Sequence, residues 1–150
     1  VNKSMRFRYA FQKIVDLKTN EKTQAEWMLS EAIGKLREEE SSLTELHSVK
    51  DGIHEQLHQV SSNRATISQM LMLQQYADHI DHQIQLKHKD LEHAQQAVNI
   101  KQDVLAGRVM EEKVWTKAKE KALTRFQTMV LKKEQDQMDE MATNRFRRLS

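Results

Sequence analysis

Not one proline occurs in these 150 residues, and there are only three glycines, Gly34, Gly52 and Gly107. Proline and glycine are the residues that stop helices and shape tight turns, so a chain this poor in both has few places to change direction. Most sheet folds, which reverse at short intervals, are thereby excluded, and long helices remain. Charged residues make up 31% of the chain and hydrophobic ones 38%, which is too little apolar material for a thick core. Burial must then run as a narrow seam between helices, each layer contributing one or two side chains.

The heptad pattern supports this. Alternating steps of three and four meet Phe11, Ile14, Lys18, Glu21, Ala25, Met28 and Ala32, then Leu36, Glu39, Leu43, Leu46, Lys50, Ile53, Leu57 and Val60. Two steps of four in succession, ending at Leu36 and flanking Gly34, read as a stutter that relaxes the supercoil locally. A second, cleaner track runs Met70, Leu73, Ala77, Ile80, Ile84, Lys87, Leu91, Ala94, Val98, Lys101, Leu105, Arg108, Glu112, Trp115, Lys119, Ala122, Phe126 and Met129. Between them, Ser61 to Thr66 is the one cluster of small polar residues long enough to reverse the chain, with Thr66 or Ser68 as the cap of the next helix.

The expected fold is all-α: a long antiparallel two-helix coiled-coil hairpin, residues 1–150 forming a single elongated domain. Helix 1 covers about 5–60, the turn about 61–66 and helix 2 about 67–145, or roughly 85 Å against roughly 115 Å. The second helix overhangs at its C-terminal end. Folding at the turn sets Trp115 beside Phe11 and Ile14, sets Ile53 beside Leu73, and leaves everything after about Leu123 unpartnered, including Phe126, Met129 and Val130. Val1 to Ser4 precede the first methionine, Met5, and are given no role in the fold.

Charge is uneven along the chain. Residues 1–18 carry five basic and one acidic residue, 19–112 nine basic and sixteen acidic, and 113–150 ten basic and five acidic. A hairpin therefore brings two basic ends together and leaves the turn half acidic. No apolar stretch approaches the roughly 18 residues of a membrane span, and the opening residues lack the apolar centre of a secretory signal. With no cysteine there is no disulfide framework, and the cytosol is the expected compartment.

One motif argues for catalysis. His54-Glu55-Gln56-Leu57-His58 is a literal H-E-x-x-H, in which two helical histidines hold zinc and the glutamate activates water. Against it, Leu57 falls on the seam track, no further ligand follows at metzincin spacing, and a two-helix rod offers no substrate cleft. The plainer reading is solvated surface histidines, and the same holds for His79, His82, His88 and His93. No glycine-rich loop or nucleophile elbow appears, no cofactor is expected, and the basic end lacks the interleaved aromatics of a nucleic-acid reader. The chain reads as a binder of proteins, not an enzyme.

Three short segments add a family resemblance. Phe7-Arg8-Tyr9-x-Phe11-Gln12-Lys13, continued by Leu17-Lys18, resembles the start of the FliJ proteins of the bacterial flagellar type III export apparatus. Leu73-Gln74-Gln75-Tyr76 followed by Ile80 is similar to that family's segment opening the second helix. Glu134 and Met138-Asp139-Glu140-Met141-Ala142 are similar to its C-terminal segment. The resemblance implies a non-enzymatic stalk in the hexameric ring of the export ATPase. It also implies binding to the cytoplasmic domain of the export-gate membrane protein and escort of substrate-specific export chaperones. Such a protein is cytoplasmic, peripherally associated with the apparatus at the inner membrane, without membrane insertion and without nucleic acid.

The resemblance also implies sites. Tyr76 and Ile80 match the family's gate-binding motif, while Gln83 and Lys87 stand where it carries a small residue and a histidine. Leu46, Val49 and Ile53 fall on the turn-end face of the first helix, where the family has further contacts, although Leu46 and Ile53 serve equally as seam residues. A charge argument assigns Arg6, Arg8, Lys13, Lys117, Lys121 and Arg125 to an acidic ATPase-ring interior. The alternative is a generic coiled-coil tether or scaffold that self-associates through its C-terminal helix.

Overall fold

A computed structural model describes residues 6–62 and 66–149. Helix α1 runs Gln12–Ser62 and α2 runs Ile67–Leu149. The two pack against each other as a hairpin with the second the longer. Residues 63–65 of the expected turn, and the first five residues, lie outside those described. At the start of α2 the hydroxyl of Thr66 accepts from the amide of Gln69 at 3.3 Å, and its carbonyl accepts from Met70 at 3.2 Å. Thr66, not Ser68, is therefore the cap, the first residue of a Thr-x-x-Gln capping pattern.

Contacts divide the chain into two compact units. A central unit holds Ala25–Leu105, and a terminal unit holds Val1–Gln24 with Ala106–Ser150. In the central unit, Ile53, Ala77, Ile80 and Ile84 form the buried cluster, with Leu43, Leu46 and Leu57 packed against it. Ala77 and Ala94 are small enough to let the backbones approach while the branched side chains interlock. Burying each isoleucine contributes roughly 1.5–3 kcal/mol. Ile53 shares its buried cluster with Ala77, Ile80 and Ile84, the first of them one helical turn beyond its expected neighbour Leu73.

In the terminal unit Val15 alone among the described residues belongs to the buried core. The seam positions that interrupt the heptad with charge answer one another here. The guanidinium of Arg108 donates to Glu21 at 2.8 Å and to Glu111 at 3.2 Å, while the Lys18 ammonium donates to Glu111 at 3.3 Å. Lys22 donates to Glu112 at 2.9 Å. These cationic partners hold the carboxyls of both Glu111 and Glu112 below the usual carboxylate range, through hydrogen bonds first and charge second.

The N-terminal segment departs from expectation. Helix 1 was expected from about residue 5, yet α1 begins at Gln12, whose amide donates to the carbonyl of Tyr9 at 3.1 Å. Phe7, Tyr9 and Phe11 alternate, and their rings lie 6.4 Å and 5.7 Å apart in succession. Residues two apart do not face each other on a helix, so this aromatic contact requires a non-helical chain. Outside a helix the chain advances up to about 3.3 Å per residue rather than 1.5 Å. That reach brings Phe7 to within 5.5 Å of Phe126, while Phe11 meets Trp115 at 6.0 Å as expected. Phe126 is consequently half-buried, Val130 is half-buried as well, and uninterrupted exposure begins at Leu131 rather than after Leu123.

Candidate protein-binding faces

The residues assigned to gate binding divide sharply. Tyr76 is 48% exposed, whereas Ile80, one turn on, is 6% exposed and belongs to the seam cluster. A seam position repeats every three or four residues, and Ile80 follows Ala77 by three and precedes Ile84 by four, so its side chain faces α1. Gln83 is half-buried. Lys87 is half-buried as well, and its ammonium donates to Glu39 at 3.0 Å. That hydrogen bond, with the glutamate's charge, raises the Lys87 ammonium above its usual range. Of the four, Tyr76 presents the freest side chain.

Apolar residues around Tyr76 enlarge this face. Ile67, Leu71 and Met72 are all exposed on the first two turns of α2, and Met72 lies four residues before Tyr76. Their signal in the sequence is an apolar side chain at a position off the seam track. On the turn-end face of α1, Val49 is 40% exposed, Leu46 is half-buried against the core cluster, and Ile53 is 3% exposed within it. Leu46 and Ile53 are thus seam residues, and Val49 is the one turned outward.

All six basic residues assigned to the ring, Arg6, Arg8, Lys13, Lys117, Lys121 and Arg125, are exposed and belong to the terminal unit. Lys117, Lys121 and Arg125 follow one another at four-residue spacing on α2 and line a shallow groove with Glu120 and Thr124. The structure also exposes Trp27, at 72%, on the face of α1 turned from the seam.

Histidine supplies the remaining chemistry. All seven histidines lie between residues 47 and 93, inside the central unit, and all are exposed. In the H-E-x-x-H segment Leu57 packs on the core cluster while His54, Glu55 and His58 face outward. Among the described residues no three histidines, cysteines, aspartates or glutamates come together as a metal-holding group, and no helix is long and apolar enough to cross a membrane.

Comparison with known proteins bears on what these faces contact. Residues 7–149 match the family model described as flagellar FliJ protein. The Flagellar FliJ protein of Bacillus subtilis (strain 168) is 24% identical over 142 residues, covering 95% of this chain and 97% of that protein. Among solved structures, a Chlamydia trachomatis protein described as a YscO homolog superposes with a TM-score of 0.61. It covers 92% of this chain and 94% of its own, and at 19% identity that likeness is one of fold.

Proposed function

The chain belongs to the FliJ family, non-enzymatic components of the flagellar type III export apparatus, and from that premise we propose that it couples the export ATPase to the export gate. In this reading the terminal unit enters the ATPase ring as a stalk and the start of α2 binds the cytoplasmic domain of the gate protein. Substrate-specific chaperones are escorted between them, and the protein works in the cytoplasm against the apparatus at the inner membrane. The observation that carries the reading is the family match from residue 7 to residue 149, which takes in the Tyr76 face and five of the six basic residues, all but Arg6.

Chemistry favours the same division of labour. Six exposed cations in one unit suit an acidic channel, because steering and register there come from complementary potential. An aromatic side chain with apolar neighbours on an exposed helix face suits a protein groove. Val49 adds to the turn-end surface, whereas Ile80, Ile53 and Leu46 support it from beneath and Lys87 is engaged with Glu39.

The experiment is a pair of measurements on the purified protein: stimulation of the export ATPase, and binding to the gate protein's cytoplasmic domain. Tyr76→Ala is expected to weaken gate binding at least tenfold with helicity and ATPase stimulation unchanged. Charge reversal at Lys117, Lys121 and Arg125 is expected to remove stimulation and leave gate binding intact. Absence of both activities in the unaltered protein overturns the reading.

A further inference from the structure

Two of the seven histidines meet across the helices. The rings of His47 on α1 and His88 on α2 lie 6.2 Å apart between centroids, with planes inclined at 67°. Each directly follows a seam residue, Leu46 and Lys87 respectively, so both flank the seam within the central unit. Both are exposed and can turn about their side-chain torsions without disturbing packed neighbours.

That spacing suits a shared ion. An imidazole nitrogen binds zinc at about 2.0–2.1 Å and lies about 1.1 Å from its ring centre, so two rings on one ion have centres about 5–6 Å apart, depending on the angle at the metal. A small rotation of either exposed ring supplies the difference. The flanking seam lysines do not oppose a cation, since Lys50 is held by Asp81 at 2.7 Å and Lys87 by Glu39 at 3.0 Å. We infer that His47 and His88 form a cross-helix site for a borderline transition-metal ion, zinc, nickel or copper, with water filling the remaining positions. Two imidazoles select these ions over calcium and magnesium, which prefer oxygen. The H-E-x-x-H histidines, His54 and His58, sit four apart on one helix, so an ion held there spans one turn of α1 and does not join the two helices.

The consequence is mechanical. An ion held by His47 and His88 binds only when the two helices are paired, so it clamps them and stabilises the folded state by mass action.

The test uses the full chain, with thermal unfolding followed by circular dichroism during titration with zinc chloride and, separately, nickel chloride. At about a hundredfold excess over Kd, Tm is expected to rise by about 5 °C or more, reversed by EDTA. The rise is expected to vanish in His47→Gln and in His88→Gln, and to persist in His54→Gln/His58→Gln. The proposal is overturned by no rise with either ion, by a rise that survives His47→Gln or His88→Gln, or by one lost only with His54 and His58. Glutamine keeps size and polarity at these exposed positions. Should either variant alter the metal-free spectrum, broadening of the His47 and His88 imidazole resonances by nickel in the unaltered protein decides, and its absence there overturns the site.

Discussion

The two units close the same pair of helices with different chemistry. The central unit has a seam of isoleucines and alanines, with Ile53, Ala77, Ile80 and Ile84 buried together. Among its described residues the terminal unit has one buried valine, a four-member ionic cluster of Lys18, Glu21, Arg108 and Glu111, and aromatic rings spanning from Phe7 to Phe126 and from Phe11 to Trp115. Apolar burial is the stronger contribution, and its interlocking side chains also fix a register. Paired charges at these partly exposed positions contribute little stability and are screened by salt. The difference teaches that one coiled coil can draw most of its stability from one stretch, while cross-helix ion pairs run through both, as Lys50 with Asp81 and Lys87 with Glu39 show in the central unit.

The largest expected effect comes from emptying the apolar seam. Ile80→Ala should destabilise the protein by about 2–4 kcal/mol, read as a fall in the urea midpoint, whereas Tyr76→Ala, exposed one turn away, should move it by less than about 1 kcal/mol. Equal losses at the two positions would break the distinction between seam and exposed face. Next in size is the aromatic closure: Trp115→Leu should cost about 0.5–1.5 kcal/mol through the lost ring pair with Phe11. Amide exchange should then quicken around residues 106–122 and stay unchanged around 77–98.

Gly52→Ala and Gly107→Ala make a matched control, one in each unit. An added methyl meets nothing within 4 Å at either site, so each should stabilise by about 0.5–1 kcal/mol. Unequal gains would mean that helix propensity, not seam chemistry, separates the units. A double-mutant cycle on Glu21 and Arg108 should return a coupling of about 0.5 kcal/mol, shrinking in high salt. The smallest effects follow pH. Glu111 and Glu112 have folded pKa values depressed from 4.5, so their contribution is present above that value and is lost as pH falls through the folded one. Lys87 has a folded pKa raised from 10.5, so its contribution is present below that value and is lost as pH rises through the folded one. Acid should therefore loosen the terminal unit first and alkali the central one, as site-resolved amide signals would report.

Much of the fold was readable beforehand. Lack of proline and two heptad tracks gave two long helices, and nearly every residue of both tracks is half-buried or buried. The departures have causes. Phe11, Met28 and Met129 are on-track yet exposed, Phe11 because it lies before the first helical residue. The helix start was misjudged because Phe7, Tyr9 and Phe11 alternate with a period of two, a pattern that a helical reading passes over. The exposure of the six basic residues was readable, since lysines and arginines off the seam stay in water. Tyr76 and Ile80, by contrast, differ in burial although one turn apart, and a motif carried over from a family does not say which side of a seam each falls on.

By itself the sequence determined that this chain forms two long helices, where they are apolar, how charge divides along them and which family they belong to. Those are properties of local spacing and composition, read one residue after another. Only the tertiary structure decided which charges meet, that Phe7 reaches Phe126, that Ile80 is buried while Tyr76 is not, and that His47 faces His88. Each of those depends on register between segments up to about 120 residues apart in the chain. Register is set by the sum of many weak cross-helix contacts, and no single stretch of sequence contains that sum.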